Sequence, residues 1–357
     1  MAQTLRVVDG AKLDAFLGRA VSDMAACMAG VTLILGHKLG LYRAMAGAGP
    51  LSSEMLAHKT GIRERYVREW LAAQAAGGYV TYDAASKTYE LPPEQAFVLA
   101  DAGSPAFFPP AYEIVSSMWH DEERLVDVFR NGRGFPWGEH HHRLFHGTEA
   151  FFKTGYKANL VASWLPALEG VEAKLRAGAR CADVGCGHGA STILMAQAFP
   201  KSTFVGYDAH PPSIETARSR AKEAEVHDRV TFETAKAQTY PGSKFDLICF
   251  FDCLHDMGDP VGAARHALKS LKPDGTVLLV EPFAADRVEE NLHPVGRLYY
   301  SASVALCVPN SLSEECGAGL GAQAGEARLG SILKEAGFTR FRRAATTPFN
   351  LVLEARP

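Results

Sequence analysis

A glycine-rich turn near the middle of the 357-residue chain places the tightest constraint on its fold. Residues 181–191 read Cys-Ala-Asp-Val-Gly-Cys-Gly-His-Gly-Ala-Ser, which is a short apolar strand, a turn with glycine at every second position, and the start of a helix. Glycine adopts backbone conformations that a Cβ forbids, and it lets a ligand lie directly against the main chain. The stretch therefore predicts the ligand-binding turn of an α/β sheet.

Two acidic residues accompany this turn. Asp183 stands two residues before Gly185, and Asp208 ends the next apolar run, residues 203–208. A carboxylate at the end of the second strand is where nucleoside-binding sheets accept hydrogen bonds from ribose hydroxyls. The spacing G-x-G-x-G is one residue tighter than the dinucleotide pattern G-x-G-x-x-G, so together with the preceding acid it argues against an NAD site.

Together these residues resemble the class I S-adenosylmethionine-dependent methyltransferases. By that resemblance Asp183, Gly185, Gly187 and Gly189 would wrap the methionyl and ribose parts of S-adenosylmethionine, and Asp208 would bind the ribose diol. S-adenosylhomocysteine would be the product. The resemblance implies further cofactor contacts from Ala209, Lys236, Ala237, Phe251 and Asp252. A lysine at position 236 departs from the acid that the family usually has there.

From residue 171 onward, strand and helix patterns alternate, which is typical of a doubly wound sheet. We predict strands near 180–184, 203–207, 230–234, 245–251, 276–281, 339–345 and 349–355. We predict helices near 191–199, 213–224, 260–271, 295–307 and 326–336. No helix separates the last two strands, so they should form a hairpin that makes the last strand antiparallel. A seven-stranded Rossmann-like α/β sheet with one reversed strand is what the resemblance implies.

The segment after the fourth strand carries the candidate chemistry. Residues 254–259, Leu-His-Asp-Met-Gly-Asp, resemble the L-H-D-W-S-D signature of plant-type small-molecule O-methyltransferases. By that resemblance His255 would be the general base, with Glu281 as the carboxylate that holds its other nitrogen. A hydroxyl acceptor must lose its proton, and a histidine is suited to that near neutral pH. The family's second acid is replaced by Gln323, with Glu326 nearby.

The first 100 residues predict a winged helix. Helical patterns are followed by two short β patterns around a polar turn, and Arg63, Arg65 and Arg68 lie on the candidate recognition helix. Residues 1–100 carry ten basic and nine acidic side chains, however, which leaves little surplus charge for DNA phosphates. In the O-methyltransferases that this chain resembles, the same module serves dimerisation. Long apolar helices before it favour a homodimer over DNA contact.

Residues 101–170 predict a helical connector between this module, residues 1–100, and the methyltransferase domain, residues 171–357. The connector is rich in aromatic side chains, which suit either a core between domains or an apolar substrate pocket. Candidate contacts to a small-molecule acceptor are Trp119, Trp137, Tyr156 and Tyr299. Residues 140–142 are three consecutive histidines, and no nearby acid or cysteine completes a metal site around them. We predict structural or loop histidines and no metal site, and a substrate contact from one of them stays open.

Composition limits which other kinds of protein the chain can be, such as membrane, secreted or nucleic-acid-binding proteins. The net charge is −3, no stretch approaches the ~20 apolar residues of a membrane span, and residues 1–18 lack a signal-peptide core. The seven cysteines contain no C-x-x-C pair and sit mostly in apolar runs, so they read as reduced core residues. We therefore expect a cytoplasmic protein without a membrane partner, and DNA as a partner is disfavoured. Two alternatives stay open: an N- or C-methyltransferase that acts by proximity, and a winged-helix regulator that binds S-adenosylmethionine or a metabolite.

Overall fold

The computed structural model describes residues 8–357, which form two compact units divided between Val115 and Ser116. The first unit contains a long helix, four shorter helices and a hairpin. Its elements are α1 (Gly10–Lys38), α2 (Leu41–Met45), α3 (Ser53–Thr60), α4 (Glu64–Ala76), β1 (Thr81–Asp83), β2 (Thr88–Glu90) and α5 (Pro93–Leu99). Helix α6 (Tyr112–His120) begins in this unit and ends in the next.

The winged-helix arrangement predicted from the sequence is present in the first unit. Ser52 caps α3 by accepting a hydrogen bond from the Met55 N–H at 3.3 Å, and β1 pairs with β2 as an antiparallel hairpin. Tyr42 packs edge-on against Trp70, with ring centroids 5.0 Å apart. The Tyr42 hydroxyl donates to Gln74 at 2.6 Å, so the buried polar group has a partner.

Helix α1 corrects one expectation. Of the described helices, it alone is long and apolar enough to cross a membrane by length and composition, whereas the sequence analysis expected no such stretch. Core helices and signal sequences of soluble proteins satisfy the same two criteria. The finding by itself therefore assigns no membrane location.

The second unit is built on a seven-stranded sheet. Its strands are β3 (Arg180–Val184), β4 (Thr203–Asp208), β5 (Val230–Thr234), β6 (Phe245–Phe251), β7 (Leu271–Pro282), β8 (Arg340–Thr346) and β9 (Asn350–Arg356). The order is β5-β4-β3-β6-β7-β9-β8, and β9 is antiparallel to both of its neighbours. The predicted doubly wound α/β sheet with one reversed strand is confirmed.

The helices that complete the second unit are α7 (Glu122–Asn131), α8 (Arg143–Asn159), α9 (Leu165–Ala167), α10 (Val171–Ala177), α11 (Ala190–Ala198), α12 (Pro211–Glu223), α13 (Pro260–Ser270), α14 (Pro294–Ala302), α15 (Val308–Ser313) and α16 (Gly325–Ala336). Helices α11 and α12 pack on one face of the sheet, and α13 and α16 pack on the other. Buried side chains form one apolar cluster on each face of the sheet. The carboxyl ends of β3, β4, β6 and β7 lie at one edge, where the candidate site is found.

Two element boundaries differ from the prediction. Strand β7 begins at Leu271, five residues before the predicted start, because residues 272–275 are accommodated as a register irregularity within the strand. The predicted helix 295–307 ends as α-helix at Ala302 and continues as a π-helical turn, Ser303–Cys307. Such turns often occur at functional sites.

Candidate active site

The glycine turn follows β3 with left-handed backbone at each of its three glycines. The φ angles are 77° at Gly185, 52° at Gly187 and 79° at Gly189. A Cβ at Gly189 would lie 2.6 Å from the Phe232 ring, so this glycine is required for packing. A Cβ at Gly187 would have no atom within 4 Å, so the turn is open there to a ligand.

Because Gly189 is closely packed and Gly187 is open, we expect alanine at these two positions to lower the stability of the fold by different amounts. Both Gly187→Ala and Gly189→Ala force alanine into a left-handed conformation, which costs about 1–2 kcal/mol. Gly189→Ala adds overpacking against Phe232, worth about 1–3 kcal/mol more. Urea unfolding should therefore show Gly189→Ala as clearly the less stable variant. Equal stability of the two variants would contradict the packing role of Gly189.

Asp183 is a buried acid with one free oxygen. Its Oδ2 accepts hydrogen bonds from Ser191 Oγ and Thr192 Oγ1, both at 2.6 Å, while Oδ1 is buried without a partner. Burial raises the pKa of Asp183 to about 6, although the two hydroxyls act in the opposite direction. An unpartnered carboxylate oxygen suits a cationic group such as the ammonium of a methionyl moiety.

Asp208 lies across the turn from Asp183. Its Oδ2 accepts from the Gly187 N–H and its Oδ1 from the His210 N–H, each at 2.8 Å. Burial raises the pKa of Asp208. These two bonds fix the carboxylate, and each oxygen keeps a further lone pair for a hydroxyl. Together with the open Gly187 and the free Asp183 oxygen, this arrangement fits the ribose and methionyl parts of S-adenosylmethionine.

The other predicted cofactor residues lie at the neighbouring strand ends. Ala209 and Lys236 are exposed, and Ala237 is half-buried. The Ala235 N–H donates to the Asp208 backbone oxygen at 3.0 Å, so the segment after β5 adjoins Asp208. Contacts from these three side chains to a cofactor stay a prediction.

His255 and Glu281 form a buried pair. His255 lies in a 3₁₀ turn after β6, and its Nδ1 is hydrogen-bonded to Glu281 Oε2 at the end of β7. The other glutamate oxygen accepts from the Leu254 N–H at 2.9 Å. Burial opposes protonation of the imidazole, but the Glu281 carboxylate outweighs it and raises the pKa of His255 well above 6.5. The predicted base and its partner are thus in direct contact.

Cys307 also influences His255. Cys307 is buried at the end of the π-helical turn, and after Glu281 it adds to the rise in the pKa of His255. With Nδ1 bound to Glu281, Nε2 is the imidazole nitrogen left for an incoming acceptor. Cys307 is 52 residues from His255 and belongs to no motif, so the sequence does not indicate this relation.

Asp252 is held in place by hydrogen bonds to residues that are distant in the sequence. It is a non-glycine residue at φ 52°, and its N–H donates to the Val280 carbonyl at 2.7 Å. Its carboxylate accepts from the Tyr156 hydroxyl at 3.1 Å and from Asn350 Nδ2 at 2.9 Å. Burial, followed by the Glu281 charge, raises the pKa of Asp252. Sequence analysis missed Asn350, because no local pattern relates β9 to β6.

The remaining predicted residues are dispersed. Phe251 is buried in the core and packs on Tyr156, with ring centroids 5.4 Å apart. The Tyr299 hydroxyl donates to the Phe349 carbonyl at 2.7 Å, and Trp119 is 66% exposed. The Trp137 N–H of the backbone donates to Asn310 Oδ1 at 2.8 Å. Cofactor contacts from Phe251 and Asp252, and acceptor contacts from Trp119, Trp137, Tyr156 and Tyr299, stay predictions.

Gln323 occupies the sequence position where the family has its second acid. Gln323 Nε2 makes long bonds of 3.4 Å to the Phe283 and Ala322 carbonyls, and its Oε1 is buried without a partner. Glu326 instead pairs with Arg343. No second carboxylate from this segment therefore supports His255.

Of the three consecutive histidines at 140–142, His140 packs in the protein interior. His140 is buried, stacks on Phe135 with centroids 3.8 Å apart, and bonds through Nδ1 to Asp121 at 2.9 Å. Burial lowers the pKa of His140. His141 and His142 lie beside it on the loop before α8, with ring centroids 4.1 Å apart.

The fold and the glycine turn are similar to those of S-adenosylmethionine-dependent methyltransferases. Residues 175–337 match the model of a methyltransferase domain, and residues 26–101 match that of an Rv2258c-like winged HTH domain. The chain thus combines these two domain families, and S-adenosylmethionine is the cofactor of its class.

Several curated methyltransferases are similar to part of this chain. The 27-O-demethylrifamycin SV methyltransferase of Amycolatopsis mediterranei (strain S699) is 33% identical over 182 residues, which cover 48% of this chain and 64% of that protein. A ubiquinone biosynthesis O-methyltransferase of Xanthomonas campestris pv. campestris (strain B100) is 35% identical over 104 residues, covering 29% and 42%. The chain thus spans less than two thirds of the length of either relative.

Solved structures share the whole fold. The mitomycin 7-O-methyltransferase MmcR superimposes with a TM-score of 0.68 at 20% identity, covering 98% of this chain and 100% of that one. Human N-acetylserotonin methyltransferase in complex with SAM gives a TM-score of 0.70 at 19% identity, covering 100% and 99%. At this identity the likeness establishes the fold alone.

Proposed function

We propose that the protein is an S-adenosylmethionine-dependent O-methyltransferase that acts on a small apolar or aromatic acceptor, with His255 as general base and Glu281 as its positioning residue. The observation that carries this proposal is the buried His255–Glu281 pair beside the glycine turn. A carboxylate on Nδ1 fixes the tautomer that leaves Nε2 to take a hydroxyl proton.

The proposed roles follow from the chain's own groups. Asp183, Asp208 and the open Gly187 would hold S-adenosylmethionine, which supplies a methyl group activated by its sulfonium. His255 Nε2 would take the acceptor proton, which leaves the acceptor oxygen free to bond to the methyl carbon. The bond between that carbon and the sulfur would break, with S-adenosylhomocysteine as the leaving group. Glu281 would stabilise the imidazolium that results.

Aromatic side chains support an apolar acceptor. Phe151 and Phe152 lie on α8, the same helix that brings Tyr156 to Asp252, and their rings are 5.1 Å apart. Half-buried rings next to a catalytic strand end are typical of pockets for apolar ligands. We propose that aromatic side chains of α8 supply much of this pocket. In sequence, residues 101–170 would connect a winged-helix domain, residues 1–100, to the methyltransferase domain, residues 171–357.

Transfer of labelled methyl from S-adenosylmethionine to a panel of phenols, alcohols, amines and carbon acids tests the proposal. We expect product with hydroxyl acceptors and none with matched acceptors whose hydroxyl is replaced by hydrogen. Methylation of amines or carbon acids alone would favour the alternative that proximity suffices. Binding without transfer to any acceptor would favour a sensor.

The winged helix gives little support to a DNA-binding regulator. On α4, Arg65 pairs with Glu69, and Arg68 donates to Glu64 at 2.8 Å. These exposed pairs neutralise the cations that would meet phosphates. We propose a cytoplasmic enzyme whose N-terminal unit contacts a second copy of the chain rather than nucleic acid.

Helix α1 carries an apolar stripe with coiled-coil spacing. Leu17, Val21, Met24, Met28, Val31 and Leu35 are spaced alternately by four and three residues, and each is between 45% and 69% exposed. A repeat averaging 3.5 residues fits the seam of a helix pair. We therefore propose that α1 of one copy packs against α1 of another.

Substituting the centre of this stripe should dissociate the dimer. A charge at the seam must be desolvated, so Met24→Asp is expected to weaken dimerisation by at least about a hundredfold. Sedimentation equilibrium checks this, with Ala25→Asp on the same helix as the control. A wild-type monomer, or a Met24→Asp dimer of unchanged affinity, would contradict the proposal. Partition of the wild-type chain into lipid vesicles would instead favour membrane contact by α1.

A further inference from the structure

A second cluster of chemically active side chains lies where α8 meets the glycine turn. His146 and Glu149 are three residues apart on α8, so they share one face of the helix. His188 stands between Gly187 and Gly189 in the turn. The ligand atoms of these three residues all lie within 4.8 Å of one another, and His188 Nδ1 is 3.0 Å from Glu149 Oε2.

We propose that His146, Glu149 and His188 form a binding site for a divalent transition-metal ion such as Zn²⁺. Two imidazoles and one carboxylate are a recurrent ligand set for zinc, with a water in the fourth position. His146 is exposed, so the fourth position is accessible to solvent. The site is separate from the His255–Glu281 pair and from the tract at 140–142.

The distances suit this assignment. Zinc–ligand bonds of about 2.0–2.1 Å place two ligands of a tetrahedral ion about 3.3–3.4 Å apart. The hydrogen-bonded atoms His188 Nδ1 and Glu149 Oε2 are 3.0 Å apart, so a metal ion can replace the shared proton with a shift of a few tenths of an ångström. The His146 ring, whose centroid is 5.7 Å from that of His188, completes the set by rotation about its side-chain bonds.

The surrounding charges set the strength of the site. Glu149 Oε1, the oxygen not shared with His188, is bonded by Arg220 and lies 3.6 Å from Lys153 Nζ. Arg220 therefore orients the ligating carboxylate, as hydrogen-bonding partners of metal ligands commonly do. Both cations also repel a divalent ion, so we expect weaker binding than at a structural site with four protein ligands.

The location suggests a regulatory consequence that rests on the proposed cofactor site. His188 lies next to Gly187, whose N–H holds Asp208. A metal ion bound to His188 would tie the turn to α8 and so change the affinity for S-adenosylhomocysteine. By linkage, S-adenosylhomocysteine would change the metal affinity by the same factor.

Titration of the metal-free full-length protein with Co²⁺, followed by visible absorption and then by competition with Zn²⁺, tests the site. We expect one Co²⁺ per chain with the intense spectrum of tetrahedral coordination. His146→Ala should weaken binding by at least about tenfold and remove that spectrum. His142→Ala and His227→Ala, both at exposed positions outside the cluster, should leave it unchanged.

Three results would overturn the proposal: no saturable Co²⁺ binding by the wild-type chain, binding that persists in His146→Ala, and binding that depends on His142. Because His146 is exposed, the variant should melt at the wild-type temperature. Calorimetry with S-adenosylhomocysteine on the metal-free protein tests the cofactor site separately. Failure of that binding would reject the proposed function and leave the metal site standing.

Discussion

Replacing His255 by alanine is expected to slow methyl transfer by about 10²–10⁴-fold, the usual contribution of a general base. Affinity for S-adenosylhomocysteine should stay within a factor of two or so, because the imidazole bonds to Glu281 rather than to the glycine turn. Single-turnover rates and calorimetric titration of the same protein preparation measure the two quantities. His227→Ala, at an exposed position, is the matched control.

The folding of this variant needs its own control. Removing the imidazole leaves the Glu281 charge buried and unpaired, which typically costs about 3–5 kcal/mol. The double variant His255→Ala/Glu281→Gln removes both charges and should recover part of that stability while remaining inactive. Methyl transfer by either variant within tenfold of the wild-type rate would contradict a base role and favour catalysis by proximity.

Changing Glu281 to glutamine is expected to shift the pH dependence of the reaction. The Glu281 charge raises the pKa of His255 above 6.5, so the wild-type rate should increase as pH rises through that elevated pKa. Without the Glu281 charge the pKa of His255 should fall, because burial of the imidazole still opposes its protonation. The midpoint of the rate profile should then move to lower pH, with a reduced maximal rate because the imidazolium loses its partner. An unchanged midpoint would contradict the assignment.

The stabilisation of the folded protein by the His255–Glu281 pair should decrease as pH rises, whereas the reaction rate should increase. Because the folded-state pKa of His255 is raised, the pair contributes its full stabilisation below pH 6.5 and loses it as pH rises through the elevated pKa. Glutamine also has one acceptor oxygen for two donors, the Leu254 N–H and His255, which costs about 1–3 kcal/mol. Urea unfolding should therefore separate the variant from wild type most at acid pH. Glu290→Gln, at a surface position, should show no such trend.

The sequence predicted the sheet well because its signals are local. Strand β3 was predicted at its observed bounds, and the turn after it was recognised from three glycines within five residues. The hairpin of β8 and β9 followed from the absence of a helix between two apolar runs. The start of β7 was wrong because a Pro-Asp-Gly sequence reads as a turn, whereas neighbouring strands hold it as an irregularity.

The site was predictable only where a motif exists. His255 and Glu281 were recognised as partners from a resemblance, and the structure brings them into contact. The bonds from Tyr156 and Asn350 to Asp252 join residues more than 90 positions apart, and nothing local in either segment indicates them. Such contacts depend on how the helices and strands pack, so a single sequence does not reveal them.

Calorimetric titration of the full-length chain with S-adenosylhomocysteine, with NAD as the competing nucleotide, tests the central claim most directly. That claim is that the open glycine turn, with Asp183 and Asp208, binds a sulfur-containing nucleoside. We predict one S-adenosylhomocysteine per chain, no heat from NAD, and loss of binding in Asp208→Ala. Saturable binding of NAD, or no binding of S-adenosylhomocysteine by the folded wild-type protein, would contradict the account.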